Sequence, residues 1–417
     1  MGISGVQGKS FEIDKRLIWE AWKQVKKNQG APGIDGQTVG QFEAGLEANL
    51  YKLWNRMSSG TYFPSPVRVV EIPKPGTAEK RKLGIPTVYD RVAETAVSML
   101  LEEIVDPVFH DDSYGYRKGR SALDAVGVCR ERCWRRNWVI DLDIKGFFDN
   151  IPHDRILAAV AHHTDLKWVL LYVQRWLAAP VQQPDGPVAR REKGTPQGAP
   201  ISPLISNLFM HYAFDAWLSR ECPGVQFERY CDDVIVHCAS EQQARHVRDK
   251  IAGRLAEFGL ELHPGKTKVV YCRDDDRRGG HDTTSFTFLS YTFRPRLAKN
   301  RYGKHFVSFL PAVSKDEVVR MQREIRTWRI PRRSDKTLQD LAHMFNRIVQ
   351  GWINYYGFFC KSMLYPLLRH LNRKLTMWAM KKYKRLRRRE RAATAWLRTI
   401  ASRDPRLFAQ WKFGVTP

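Results

Sequence analysis

The chain has 417 residues, 43% of them hydrophobic, and a formal net charge of +25. That hydrophobic content excludes a mostly disordered chain, and the length allows two or three domains with a real core. A protein this basic, with a sequence pI of about 9.9, points to a polyanionic partner.

Residues 11–27 alternate apolar and charged positions at helical spacing, with Ile13, Leu17, Trp22 and Val25 on one side. The glycine-punctuated stretch Gly30-Ala31-Pro32-Gly33-Ile34-Asp35-Gly36 ends that helix in an ordered loop. A second helix is predicted over 39–57 and a strand over 64–72. The turn Ile72-Pro73-Lys74-Pro75-Gly76 follows, and Leu83-Gly84-Ile85-Pro86 leads back. A helix is predicted over 91–105, and Tyr114-Gly115-Tyr116-Arg117-Lys118-Gly119-Arg120 forms a basic loop entering the next helix. Residues 138–144 read as a buried strand carrying acids, with 145–152 continuing it. The loop at 194–203, Gly-Thr-Pro-Gln-Gly-Ala-Pro-Ile-Ser-Pro, opens a long apolar helix through Phe214. A helix then a strand occupy 255–271, and a strand pair 285–293. From Lys315 the chain turns helical and basic, with 25 Lys and Arg against 7 Asp and Glu, net +18. Leu338, Leu341, Phe345, Ile348, Trp352 and Tyr355 form a single apolar stripe, which reads as core. Eight basic residues crowd 381–391, among them Lys381, Lys382, Arg387, Arg388 and Arg389. A charge run is usually a solvated face, but this density favours contact with phosphate.

The chemistry concentrates at Tyr230-Cys231-Asp232-Asp233-Val234-Ile235-Val236. A β-branched run behind two adjacent carboxylates reads as strand, tight turn, strand, with the aspartates at the turn. Two such charges together are costly unless cations neutralise them. Asp143, on a strand that reads as buried, likewise needs a partner, and a metal shared with Asp232 and Asp233 supplies one. The seven cysteines are odd in number and form no Cys-x-x-Cys pair. That argues against zinc or a disulfide framework and for reduced thiols in a bacterial cytoplasm. No apolar run is long enough to span a bilayer and no secretory leader is recognisable, so no membrane partner is expected.

These motifs, in this order, resemble the palm of a reverse transcriptase, and more narrowly the bacterial group II intron-encoded reverse transcriptases, or intron maturases. Residues 30–36, Ile72-Pro73-Lys74, 83–86, 114–117, 143–149, 194–203 and 230–233 carry the likeness. Gly351-Trp352-Ile353-Asn354-Tyr355-Tyr356 is similar to the maturase-specific domain. The resemblance implies an α+β right-hand polymerase. Its N-terminal extension would span 1–60 and its fingers and palm, with an antiparallel sheet, 61–310. A helical thumb or maturase domain would follow at 311–380, then a basic DNA- or RNA-binding region at 381–417. It further implies two magnesium ions, replaceable by manganese, on Asp143, Asp232 and Asp233, with the Ile144 carbonyl as an extra ligand. Lys74 and Arg81 match the residues that hold the triphosphate. Phe148 matches the aromatic that excludes a 2′-hydroxyl, although alone it would read as a core aromatic. Gln197 and Gly198 match the part lining the incoming dNTP, and Arg117 and Arg120 are expected at template or nucleotide. Lys266 stays open between a solvated turn lysine and a role near pyrophosphate.

The expected function is RNA-directed DNA synthesis, with help to splicing and mobility of a group II intron. Its partners would be the intron RNA or another RNA template, a DNA primer or target, and dNTPs. The alternative is a relative with the same chemistry recruited by the host for DNA repair or phage defence. Cys231, where the family usually has Ala, leaves that alternative open. A splicing cofactor with a dead polymerase is disfavoured because all three aspartates are present, and an RNA-copying RNA polymerase by the bulk of Phe148. The Cys pairs of the family's C-terminal endonuclease are missing, which implies that this module is missing too.

Overall fold

The computed structural model describes residues 9–73, 80–184, 186–277 and 279–417. The chain divides into two compact units. One comprises the residues up to Ala125 together with Ile140–Lys268, and the other Val126–Val139 with Val269–Pro417. The fold is mixed, with helices and β-sheets in both units.

The strands are β1 (Val67–Pro73), β2 (Lys80–Ile85), β3 (Trp138–Leu142), β4 (Val181–Gln182), β5 (Val188–Ala189), β6 (Gln226–Tyr230) and β7 (Asp233–Cys238). They continue as β8 (Lys268–Tyr271), β9 (Phe286–Phe288), β10 (Tyr291–Lys299) and β11 (His305–Val313).

In the first unit, β1 pairs antiparallel with β2, from Arg68↔Ile85 to Pro73↔Lys80. On its other side β1 runs parallel to β4, which pairs with β5. In the other sheet β7 lies between β6 and β3. Val234, Ile235 and Val236 are buried, so both faces of this strand are covered, as its unbroken apolar run requires. The N-terminal helix begins at Lys15 because the Asp14 carboxylate accepts the Arg16 amide at 2.8 Å and caps it. Ile18, Ala21, Trp22 and Val25 are its buried face. The loop after it is pinned by Arg91, which donates to the carbonyls of Gln29 at 3.1 Å and Ala31 at 3.0 Å.

The second unit holds an antiparallel sheet in the order β11-β10-β9, followed by helices Lys315–Thr327, Leu338–Tyr356, Tyr365–Lys382 and Glu390–Arg403. The helix at Leu338 starts with a reciprocal cap between Thr337 and Asp340. Trp328 stacks on Phe345 and Trp352, with centroids 4.5 and 5.6 Å apart.

Several local expectations shift. The helix predicted over 39–57 is two helices, Val39–Ala44 and Leu46–Ser58, meeting at Gly45. The strand predicted to run on through 145–152 ends at Leu142, and the chain turns into a short helix, Phe147–Asn150. The apolar helix opened by the 194–203 loop passes through one turn of π-helix, His211–Asp215. On the Leu338 helix the buried face runs through Val349, Ile353 and Tyr356. Ile348 is exposed, because a 3.6-residue period drifts off a strict three-four stripe. No described helix is long and apolar enough to cross a membrane, and none of the seven cysteines forms a disulfide.

Candidate active site

Tyr230 pairs with Asp233 across the β6–β7 hairpin, leaving Cys231 and Asp232 as its two-residue loop. Cys231 sits at a φ of 61°, a left-handed value that few non-glycine residues adopt. Surrounding structure over-determines it. The Nη1 of Arg229 donates to the Cys231 carbonyl at 3.0 Å. Gly115 lies so close that a Cβ there would come within 2.6 Å of the Cys231 amide nitrogen. Arg229 is itself wholly buried, and its guanidinium also bonds Asp215 through two nitrogens, Asn207 at 2.9 Å and Ser113 at 2.8 Å.

Asp143 follows the end of β3. Its amide donates to Thr267 Oγ1 at 3.3 Å, and its carbonyl accepts from the His263 amide at 2.7 Å. The Lys145 amide donates to the Glu261 carbonyl at 2.9 Å, so these bonds flank the bridge between Ile144 and Leu262. In such a pair the amide and carbonyl of Ile144 are turned away from Leu262.

Asp143, Asp232 and Asp233 line one cavity of about 970 Å³, together with Ile144, Phe148, Arg81 and Gln197. Asp233 is exposed and lines the cavity, yet desolvation by the surrounding protein first, then Asp232 and Asp143, push its carboxyl up to about 7. Asp232 is raised by burial first, with Asp143 adding to it. Arg81 opposes the rise of both. Asp141, which sequence reasoning passed over, is pushed up to about 7 by burial and then by Asp233. Three carboxylates lining one cavity, beside an outward-turned carbonyl, are an oxygen donor set suited to hard divalent cations.

Cations surround these acids: Lys80, Arg81, Lys82, Lys145, Arg191, Lys193 and Lys266 all line the cavity. Lys266 is an exposed turn lysine that also lines the cavity, its ammonium 3.6 Å from the Asp143 carboxylate. Arg191 and Lys193 went unrecognised in sequence, although they stand directly before the Gly194 loop. Phe148 rides on the Phe147–Asn150 helix. Its carbonyl accepts the Thr195 amide at 2.7 Å, tying the 194–203 loop beneath it. The Gln197 carbonyl accepts the Gly84 amide at 2.7 Å.

Other expected contacts lie elsewhere. Lys74 lies outside the described residues. Gly198 is absent from the cavity lining. It packs on the β2 backbone, where at φ 116° a Cβ would come within 2.7 Å of the Gly84 carbonyl. Arg117 is committed to the protein. It donates to the Asp106 carboxylate at 2.8 Å and carbonyl at 2.9 Å, and to the carbonyls of His110 and Ser113. It therefore fastens the loop carrying Tyr114 and Gly115, with a side chain only 7% exposed. Arg120 donates to Asp111 at 2.9 Å and is likewise absent from the lining. In the second unit Lys382 donates to the carbonyls of Ser334 and Lys336, which leaves it closing a loop. Lys381, Arg387, Arg388 and Arg389 are exposed, the three arginines in the break between two helices.

Residues 72–293 match the family described as reverse transcriptase (RNA-dependent DNA polymerase). Residues 318–396 match the group II intron maturase-specific domain. The chain is 29% identical over 335 residues to Protein YkfC of Escherichia coli K12, covering 70% of this chain and 84% of that protein. It is 33% identical over 198 residues to the group II intron-encoded protein LtrA of Lactococcus lactis subsp. cremoris, covering 47% of this chain and 32% of LtrA. A putative COX1/OXI3 intron 1 protein of Saccharomyces cerevisiae is 30% identical over 204 residues, 48% of this chain and 24% of that protein. The chain thus spans most of the first relative but about a third or less of the other two.

Proposed function

Since the chain belongs to the reverse transcriptase (RNA-dependent DNA polymerase) family and carries a group II intron maturase-specific domain, we propose that it copies an RNA template into DNA at the cavity holding Asp143, Asp232 and Asp233. It also assists splicing and mobility of a group II intron. The convergence of those three carboxylates inside a ring of cations is the observation that carries the reading.

Asp143, Asp232, Asp233 and the Ile144 carbonyl would hold two divalent cations, magnesium in the cell, which would supply activation of the primer 3′-hydroxyl and charge neutralisation at the α-phosphate. Arg81, with Lys74 as its expected companion, clamps the triphosphate of the incoming dNTP. Phe148 presents its ring to the sugar and leaves no room for a 2′-hydroxyl. Gln197 borders the same nucleotide. Lys266 balances the charge of Asp143, 3.6 Å away, and meets pyrophosphate as it leaves. In this reading the sheets of the first unit supply fingers and palm, and the helices after residue 311 a thumb and maturase domain. The exposed cations of 381–391 hold template RNA or target DNA through phosphate.

Primer extension on an RNA template with dNTPs and magnesium tests the reading. The wild-type chain extends the primer. Asp232→Asn or Asp143→Asn abolishes extension, while the Asp232→Asn, Asp233→Asn double variant still binds RNA, because its C-terminal cations are intact. Near wild-type extension by either single variant would refute the assignment.

A further inference from the structure

We propose that the β10–β11 arm is a binding surface for unpaired RNA, gripping phosphate with its cations and stacking a base on Tyr302; the proposal rests on the reading above that the chain handles RNA. The arm is a long antiparallel ribbon paired from Tyr291↔Val313 out to Lys299↔His305. Its root is packed: Phe293 stacks on Phe286 with centroids 4.6 Å apart, and Phe309 is buried. Its outer half is bare. Leu297 and Tyr302 are 71% and 77% exposed, and every residue from 299 to 306 is exposed.

A bare two-stranded ribbon is marginal in water, yet this tip is closely built. The Asn300 side chain accepts the amides of Tyr302 at 2.9 Å and Lys304 at 3.0 Å. The Asn300 amide donates to the Lys304 carbonyl at 2.9 Å, and the Gly303 amide to the Asn300 carbonyl at 3.0 Å. On the outer strand, the Asp275 carboxylate accepts the Val307 amide at 2.8 Å. An ordered turn that exposes its aromatic and aliphatic side chains is pre-organised for a ligand.

The charge identifies that ligand. No Asp or Glu occurs between Arg294 and Phe306, whereas Lys299, Arg301 and Lys304 crowd the tip. None of these three cations has an ion-pair partner among the described residues. Arg296 is different, since it bonds the carbonyls of Leu310 and Thr292 within the ribbon. The Arg301 guanidinium lies 4.7 Å from the Tyr302 ring centroid. A cation-flanked open ring is the arrangement that stacks bases while its neighbours hold phosphate. Stacking needs an exposed base face, so unpaired RNA fits and a closed duplex does not.

The test measures binding of the full chain to a short fluorescent single-stranded RNA, and to a blunt RNA duplex of equal length, across a salt series. Tyr302→Ala should weaken single-strand binding about tenfold and leave duplex binding unchanged. Tyr302→Phe, which keeps the ring, should bind as wild type. Changing Lys299, Arg301 and Lys304 together to Gln should flatten the slope of log affinity against log salt by about 2 for single strands. Wild-type affinity in Tyr302→Ala, or an equal loss on duplex, overturns the stacking surface. An unchanged salt slope in the triple variant overturns the phosphate grip. Competition by polyglutamate as effective as by RNA assigns the arm to an acidic protein and overturns the proposal. These side chains are exposed, so the variants should fold, and unchanged thermal unfolding confirms it. Their primer extension at saturating RNA separates the two readings. If they extend normally but bind as wild type, the arm's role alone fails; if the wild-type chain neither binds nor copies RNA, the polymerase reading fails.

Discussion

The Nη1 of Arg229 donates to the carbonyl oxygen of Cys231 at 3.0 Å, and so ties a buried cation to the left-handed residue that precedes Asp232. The same guanidinium grips Asp215 with both carboxylate oxygens, and neither side chain is exposed at all. The turn carrying Asp232 and Asp233 is thereby anchored from beneath by a fully desolvated ion pair.

Removing one partner of such a pair strands the other charge in the core. Arg229→Met or Asp215→Asn should therefore destabilise the first unit by about 3–5 kcal/mol. Urea denaturation checks this. A loss near the value of an exposed pair, under about 1 kcal/mol, would contradict the anchoring role. Gly115→Ala probes the turn from its other side, where the new methyl would collide with the Cys231 amide. It should depress primer extension far more than it lowers unfolding temperature.

Phe148→Ala should raise the ratio of rNTP to dNTP incorporation by roughly tenfold or more, because a missing ring opens space at the sugar. The ring lines the cavity and its helix is tied to the 194–203 loop through the backbone, so the substitution leaves that tie in place. An unaltered ratio would mean that another group gates the 2′-hydroxyl.

Burial holds Glu94 well above the ordinary carboxylate range, with Asp90 adding to the rise and Arg191 and Arg91 opposing it. In the unfolded chain the group ionises near 4.3. Between that value and the folded one, the folded state binds more protons. The stability Glu94 contributes is therefore complete below about pH 4 and is lost as pH rises through the folded value. Asp90, also raised by burial, acts in the same direction. Glu94→Gln should flatten the fall in urea midpoint between pH 5 and pH 8. Parallel pH profiles for wild type and variant would contradict this.

Arg387→Gln, Arg388→Gln and Arg389→Gln in combination should reduce the salt slope of RNA binding by about 2, with uniform weakening across sequences. All three are exposed in the break that follows buried Leu386. An unchanged slope would return them to a solvated surface.

The sequence by itself determined what is local. The Asp232-Asp233 hairpin was legible because two acids sit before a β-branched run. Helix starts were less legible: the first amphipathic helix was expected from residue 11, whereas the Asp14 cap sets its start at Lys15. The order of motifs was enough to mark a reverse transcriptase. Only the tertiary structure decided how chemically equal side chains divide their work. Arg117 and Arg191 look alike in sequence, yet one is held by Asp106 and three backbone carbonyls while the other lines the cavity. Gln197 and Gly198 are neighbours, yet one borders the site and the other packs on Gly84. Lys266 acquires its place only because residues 261–267 fold back onto Asp143. The physical reason is range. Caps, turns and strand alternation are set by interactions within a few residues, whereas the partner of a charge is chosen by whatever distant segment the fold brings within hydrogen-bonding distance.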